Sequence, residues 1–109
     1  MKTRLRADLR VSMRARHALD TRVIRTLLAA LDNAEAVSIE AARSGSRQRF
    51  PGHSAEVARR DLADADVQAL LREEVDSRLR AADDLDGYRQ HDRAAALRAE
   101  AAIARGYVD

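Results

Sequence analysis

Residues 22–35, RVIRTLLAALDNAE, decide the fold of this chain. Ile24, Leu27, Leu28 and Leu31 recur at i, i+3, i+4 and i+7, and Ala34 continues the series. That is the repeat of one face of an α-helix, not the two-residue alternation of a half-buried strand. Extended outward, the pattern predicts a long helix from about Asp20 to Ala42, with Asp20 placed as its cap. Upstream, Leu5, Leu9 and Met13 follow at i, i+4 and i+8 and predict a first helix capped by Thr3. The short break around residues 16–18 makes the two helices an antiparallel hairpin.

Downstream, Ser44-Gly45-Ser46 and Pro51-Gly52 interrupt the periodicity, so residues 43–61 read as a flexible loop between the second and third helices. A third helix is predicted over 64–89, with Val67, Leu70, Leu71, Val75, Leu79 and Ala82 inward. Asp64 and Asp66 suit its N-terminal dipole, and Gly87 weakens its last turn. Residues 93–107, with Leu97, Ala101, Ala104 and then Val108, predict a fourth helix whose alanine strip lets a neighbour approach closely. The expected architecture is all-α: one domain over residues 1–109, arranged as four helices in helical hairpins.

Composition agrees. With 109 residues there is room for one modest core. Hydrophobic residues make up 46% and aromatic ones only 3%, so that core must be built from Leu, Val, Ile and Ala. The absence of Cys removes disulfides, thiolate metal sites and thiol nucleophiles. MKTRLRADLR lacks the apolar run of a signal peptide, and no segment approaches the roughly 20 apolar residues that span a bilayer. The expectation is a cytoplasmic protein without membrane insertion.

Chemistry is harder to find. The only Lys is Lys2, near a terminus, and the four Gly are scattered, so no phosphate-binding Gly-rich loop exists. His17, His53 and His91 lie far apart, and His53 with Glu56 lacks further ligands, so no metal is expected. Asp83, Asp84 and Asp86 precede Gly87 without the order of a calcium loop and read as a solvated acidic helix end. Tyr88 and Tyr107 sit at helical positions beside apolar residues and read as packing. No nucleophile, base and oxyanion set can be named, so neither a catalytic residue nor a cofactor is expected.

Charge is more informative when divided along the chain. Residues 1–30 hold eight basic residues against Asp8 and Asp20, a net of +6. Residues 61–109 hold twelve acidic against seven basic, a net of −5. Arg6, Arg10 and Arg14, at i, i+4 and i+8, form a stripe on the first helix, and Arg43, Arg47 and Arg49 add charge at the loop. This set is the candidate nucleic-acid-binding surface, because arginines on one face can bridge phosphates bidentately. The competing reading is intramolecular: the stripe pairs with Glu73, Asp76 or Asp83 of the acidic third helix.

The same segments resemble the YqeY family, small bacterial proteins grouped with the tail of the GatB subunit of the glutamine-dependent tRNA amidotransferase. The resemblance is carried by Met13-Arg14-Ala15-Arg16-His17, by residues 24–35 (IRTLLAALDNAE), and by Leu62-Ala63-Asp64-Ala65-Asp66-Val67. It continues through Glu74 to Arg89 and ends in residues 99–109 (AEAAIARGYVD). Ala63 stands where the family offers a Ser or Thr cap, so Asp61 or Asp64 is expected to supply the capping oxygen. Longer members continue into a second, three-helix domain resembling the GatB tail that contacts tRNA; the resemblance here covers the N-terminal helical domain only.

Three functions follow as expectations. The leading one is a non-catalytic helical accessory module that binds a protein partner or a second copy of itself, linked to tRNA-dependent amidation. The second is a tRNA- or RNA-binding accessory protein that uses the basic helix face. The third, implied by the resemblance alone, is a component with carbon–nitrogen ligase activity and glutamine as amide donor.

Overall fold

The computed structural model describes residues 1–46 and 62–109. Among them the chain forms four helices and no strand: α1 (Lys2–Arg14), α2 (Ala18–Ser46), α3 (Asp64–Gly87) and α4 (His91–Arg105). The all-α expectation is met. α1 and α2 form one antiparallel hairpin and α3 and α4 a second, and α2 touches both helices of the second hairpin. No helix among the described residues is long and apolar enough to cross a membrane.

The core lies where the hairpins meet. Leu5 of α1, Val23, Ile24, Leu27 and Leu31 of α2, Leu71 and Val75 of α3, and Ala101 and Ala104 of α4 are buried in one cluster with Tyr107. Each fully buried Leu or Val contributes roughly 1.5–3 kcal/mol relative to exposure. The α2 stripe is rotated from the expected one: Val23 is fully buried while Leu28 and Ala34 are half-buried. The cause is that α2 packs on two sides, against α1 and against the second hairpin, which favours the 23, 27, 31 line alongside Ile24.

Helix α1 also differs from expectation. Leu5 is buried and Leu9 half-buried, but Met13 is 50% exposed and Ser12 is buried in its place. Residue i+7 returns to within about 20° of residue i on a helix, whereas i+8 lies about 80° away, so Ser12 falls on the Leu5 line and Met13 beside it. The buried Ser12 hydroxyl is satisfied by the Leu9 carbonyl at 3.0 Å and the Thr21 hydroxyl at 2.9 Å.

Several boundaries move. Thr3 lies inside α1, whose preceding residue Met1 makes no side-chain cap. Asp20 sits in the first turn of α2, not before it. The helix runs on through Ser44-Gly45-Ser46, so residues 43–46 are helix instead of loop, while residues 47–61 lie outside the described residues. α3 starts after Ala63 without a side-chain cap, Asp64 being its first residue; Asp61 is outside the described set. Tyr107 packs in the core as expected, but Tyr88 is 78% exposed, because α3 ends at Gly87 and Tyr88 is already part of the turn.

Both hairpin turns are built alike. His17 N–H donates to the Ser12 carbonyl at 2.9 Å and Arg16 N–H to Met13 at 3.2 Å. Gln90 N–H donates to Leu85 at 2.8 Å and Arg89 N–H to Asp86 at 2.9 Å. These paired bonds close a helix C-terminus through a residue in the left-handed region, and glycine is its usual occupant. Here Arg16 (φ 59°) and Arg89 (φ 61°) fill the position.

The C-terminal residues strap the hairpins together. The Tyr107 hydroxyl donates to Asp8 of α1 at 2.6 Å, and the Arg4 guanidinium donates to the Gly106 carbonyl at 3.1 Å and lies 4.6 Å from the Tyr107 ring centre. On the other side Gln68 of α3 donates to the Tyr107 carbonyl at 3.3 Å and accepts from the Asp109 N–H at 2.8 Å. α1 thus reaches α3 through this strap, since the two helices do not pack directly.

Candidate nucleic-acid interface

The sequence placed the candidate site on arginines, and the structure divides them into two groups. Arg6, Arg10 and Arg14 are all exposed along the outer face of α1. Among the described residues no carboxylate pairs with Arg10 or Arg14, and Arg6 only adds charge near Asp32, which Lys2 holds at 2.9 Å. Arg43 is exposed in the last turn of α2. It lies far from the stripe: Lys2 pairs with Asp32 and Glu35, and Arg43 is about two turns beyond that level. Arg47 and Arg49 fall outside the described residues.

Among the described residues the stripe makes no ion pair with Glu73, Asp76 or Asp83 of α3. Glu73 pairs with Arg80 at 2.8 Å and Asp83 with Arg98 at 2.9 Å, both within the second hairpin. The acidic end of α3 is likewise engaged: Asp86 accepts from Arg98 at 2.7 Å and meets His91 Nδ1 at 2.8 Å. Those contacts hold the Asp86 carboxyl below its ordinary range, through His91 first and Arg98 second. Arg78, Arg80 and Arg98 of the second hairpin are thus tied to its own carboxylates, whereas Arg6, Arg10, Arg14, Arg16 and Arg25 of the first make no ion pair among the described residues.

Sequence reasoning missed the concave part of this surface. At the turn end of the first hairpin a groove of about 760 Å³ opens between the last turn of α1 and the first three turns of α2. Met13, Ala18 and Ala29 give it apolar lining, and Arg16, Arg22 and Arg25 line it as well. Arg25 is positioned by a 3.7 Å contact from its guanidinium to the Met13 sulfur, while Arg22 is partly engaged by Glu100 at 3.4 Å. The groove's two hydroxyls are committed: Thr26 donates to the Arg22 carbonyl at 3.0 Å and Thr21 is bonded to Ser12. A signal was present in the spacing of Thr21, Arg22, Arg25, Thr26 and Ala29, the polar side of the same helix whose apolar side identified the fold.

A second cleft, of about 460 Å³, separates the hairpins and brings Asp8, Ser12, His17, Asp20 and Tyr107 together. Its residue types match those of nucleophilic hydrolases, but the wiring does not. The Ser12 hydroxyl is bonded to Leu9 and Thr21, and His17 faces Asp20 at 3.6 Å on the exposed rim. Burial and the adjacent Asp8 carboxylate push the Tyr107 hydroxyl well above its ordinary pKa, which keeps it a hydrogen-bond donor. This cleft is a structural joint. Among the described residues no three His, Asp or Glu side chains converge as a metal site would require.

In comparisons of sequence and of structure, no family model, curated protein or solved structure matches the chain.

Proposed function

We propose that the chain is a non-catalytic helical accessory module of the YqeY type, which presents the basic α1–α2 hairpin to tRNA in glutamine-dependent tRNA amidation. The observation that carries the reading is the display of Arg6, Arg10, Arg14, Arg16 and Arg25 on one hairpin, with no ion pair to any of them among the described residues. Arginine is the side chain best suited to bridge phosphate oxygens, and a row of them binds a polyanion by releasing its counterions. The resemblance in residues 24–35 and 99–109 supplies the link to amidation. Carbon–nitrogen ligation itself, with glutamine as amide donor, belongs on this reading to a partner enzyme, since Ser12 is tied to backbone and Thr21.

Fluorescence anisotropy of labelled tRNA between about 50 and 200 mM salt tests it, because each phosphate contact steepens the salt dependence. Replacing Arg6, Arg10 and Arg14 together by Gln is expected to weaken binding at every salt and to lower the slope of log K against log salt by about one per arginine. Unchanged binding by the triple variant would reject this surface. Loss of glutamine-dependent amidation on omitting the chain from a reconstituted reaction would strengthen the link to a partner ligase.

A further inference from the structure

The groove at the hairpin turn differs from the rest of the basic surface because it is concave, partly apolar and lined with guanidinium groups. Resting on the nucleic-acid reading above, we propose that this groove holds one unstacked nucleotide of a single-stranded RNA segment, with its phosphate at Arg16 and its base against the Arg25 guanidinium beside Met13.

Size, chemistry and backbone support the assignment. The groove is a shallow, open depression of about 760 Å³, wide enough to seat one flat group on its surface. The outer stripe of α1 is convex and suits the continuous backbone of a nucleic-acid helix, whereas the depression between the last turn of α1 and the start of α2 suits a single splayed group. Unstacked bases lie on aromatic rings or on guanidinium planes, and in a groove without aromatics the Arg25 guanidinium, held against the Met13 sulfur, supplies the plane. Arg16 occupies a left-handed position that glycine would fill with less strain, and its side chain lines the groove. Arg89 holds the same conformation in the second hairpin and so serves as a control for the change of backbone alone.

The committed hydroxyls add a specificity statement. Thr21 and Thr26 already donate within the fold, so the side-chain donors left in the groove to meet a base edge are its guanidinium groups. Adenine and uracil each offer acceptors to a guanidinium, so the groove is expected to bind these two bases alike.

The experiment measures anisotropy of four labelled probes with the full chain at about 50 mM salt: oligouridylate, oligoadenylate, a blunt RNA duplex of equal phosphate count, and a polyglutamate peptide. The variants are Arg16→Gly, Arg25→Gln, the two combined, Met13→Ala and, as controls outside the groove, Arg6→Gln and Arg89→Gly, each checked by circular dichroism melting. The expected result is tighter binding of both single strands than of the duplex, equal affinity for the two, and a loss of about tenfold for the single strands in the Arg16→Gly and Arg25→Gln double variant. Met13→Ala weakens the single strands with no change of charge, and Arg89→Gly binds like the parent. Duplex binding equal to single-strand binding, with groove variants no worse than Arg6→Gln, overturns the groove and leaves the hairpin reading standing. Polyglutamate binding as tightly as the single strands overturns it in favour of an acidic protein segment. A strong preference for one oligonucleotide overturns the specificity statement, and absence of binding to every RNA overturns the hairpin reading with it.

Discussion

The two hairpins share a turn design and differ in what their arginines do. In α3–α4, Arg78, Arg80 and Arg98 each meet carboxylates, from Glu74 and Glu100 to Glu73 and then Asp83 and Asp86. In α1–α2, Lys2 takes the nearest carboxylates, Asp32 and Glu35, and Arg10, Arg14, Arg16 and Arg25 are left without one among the described residues. The difference is one of supply: the first 30 residues carry two acids and the last 49 carry twelve. One hairpin holds carboxylates in excess and ties three of its arginines to them; the other holds few and displays most of its own arginines. A local excess of carboxylates makes such pairing available without fixing it for every arginine, since Arg72, Arg89, Arg93 and Arg105 also make no ion pair among the described residues.

The most severe test of the comparison is to remove what both hairpins share. Leu27 is fully buried in the cluster that joins them, and Leu27→Ala is expected to cost about 2–5 kcal/mol in chemical denaturation, with one cooperative transition for both hairpins. Two separate transitions would show that the hairpins fold independently.

Next in size is the strap. Tyr107→Phe removes a hydrogen bond to a carboxylate, worth about 1.5–3 kcal/mol. It also changes the pH dependence with a definite sign. Because the folded state binds the Tyr107 proton more tightly than the unfolded chain does, its contribution is complete below pH 10.0 and declines as pH rises beyond it. The melting temperature of the parent should fall more steeply above that pH than that of the Phe variant, and parallel curves would show the strap is not closed in solution.

Smaller still are the two turns. Arg16→Gly and Arg89→Gly each relieve a left-handed arginine and should stabilise by about 1 kcal/mol. Equal gains with unequal effects on RNA binding would sharpen the comparison to one residue per hairpin.

The smallest effect is expected for Asp86→Asn, on the exposed acidic end of α3. A carboxyl held low in the fold supports it above its unfolded value of 3.8, and that support fades as pH falls through the folded value. The Asn variant should therefore match the parent in acid and lag slightly at neutral pH, as read by thermal melts; an identical lag at both would remove the ion pair as its source.

Much of this fold was legible in the sequence because long apolar repeats leave little choice. Ile24, Leu27 and Leu31 identified α2, and Leu71, Val75 and Ala82 identified α3. Val23 was missed because a single helix read alone has one buried side, whereas α2 is covered on two. Ser12 was missed because its hydroxyl reads as surface until Thr21 is seen opposite it. The candidate site was legible as charge but not as shape. Arg6, Arg10 and Arg14 could be found by counting fours, but the groove joins residues on either side of a turn, and no spacing rule tells which way a turn closes. The pairing of Lys2 with Asp32 and Glu35, over 30 and 33 residues, was equally invisible for that reason.

The strap also sets an order in time. Each hairpin is closed by neighbours along the chain, while the Tyr107 to Asp8 bond joins residues 99 apart and depends on both hairpins being in place. Contacts so distant in sequence form after the local ones have reduced the cost of loop closure. Breaking this bond should therefore leave the folding rate nearly unchanged and raise the unfolding rate, making the strap a latch on the lifetime of the native state.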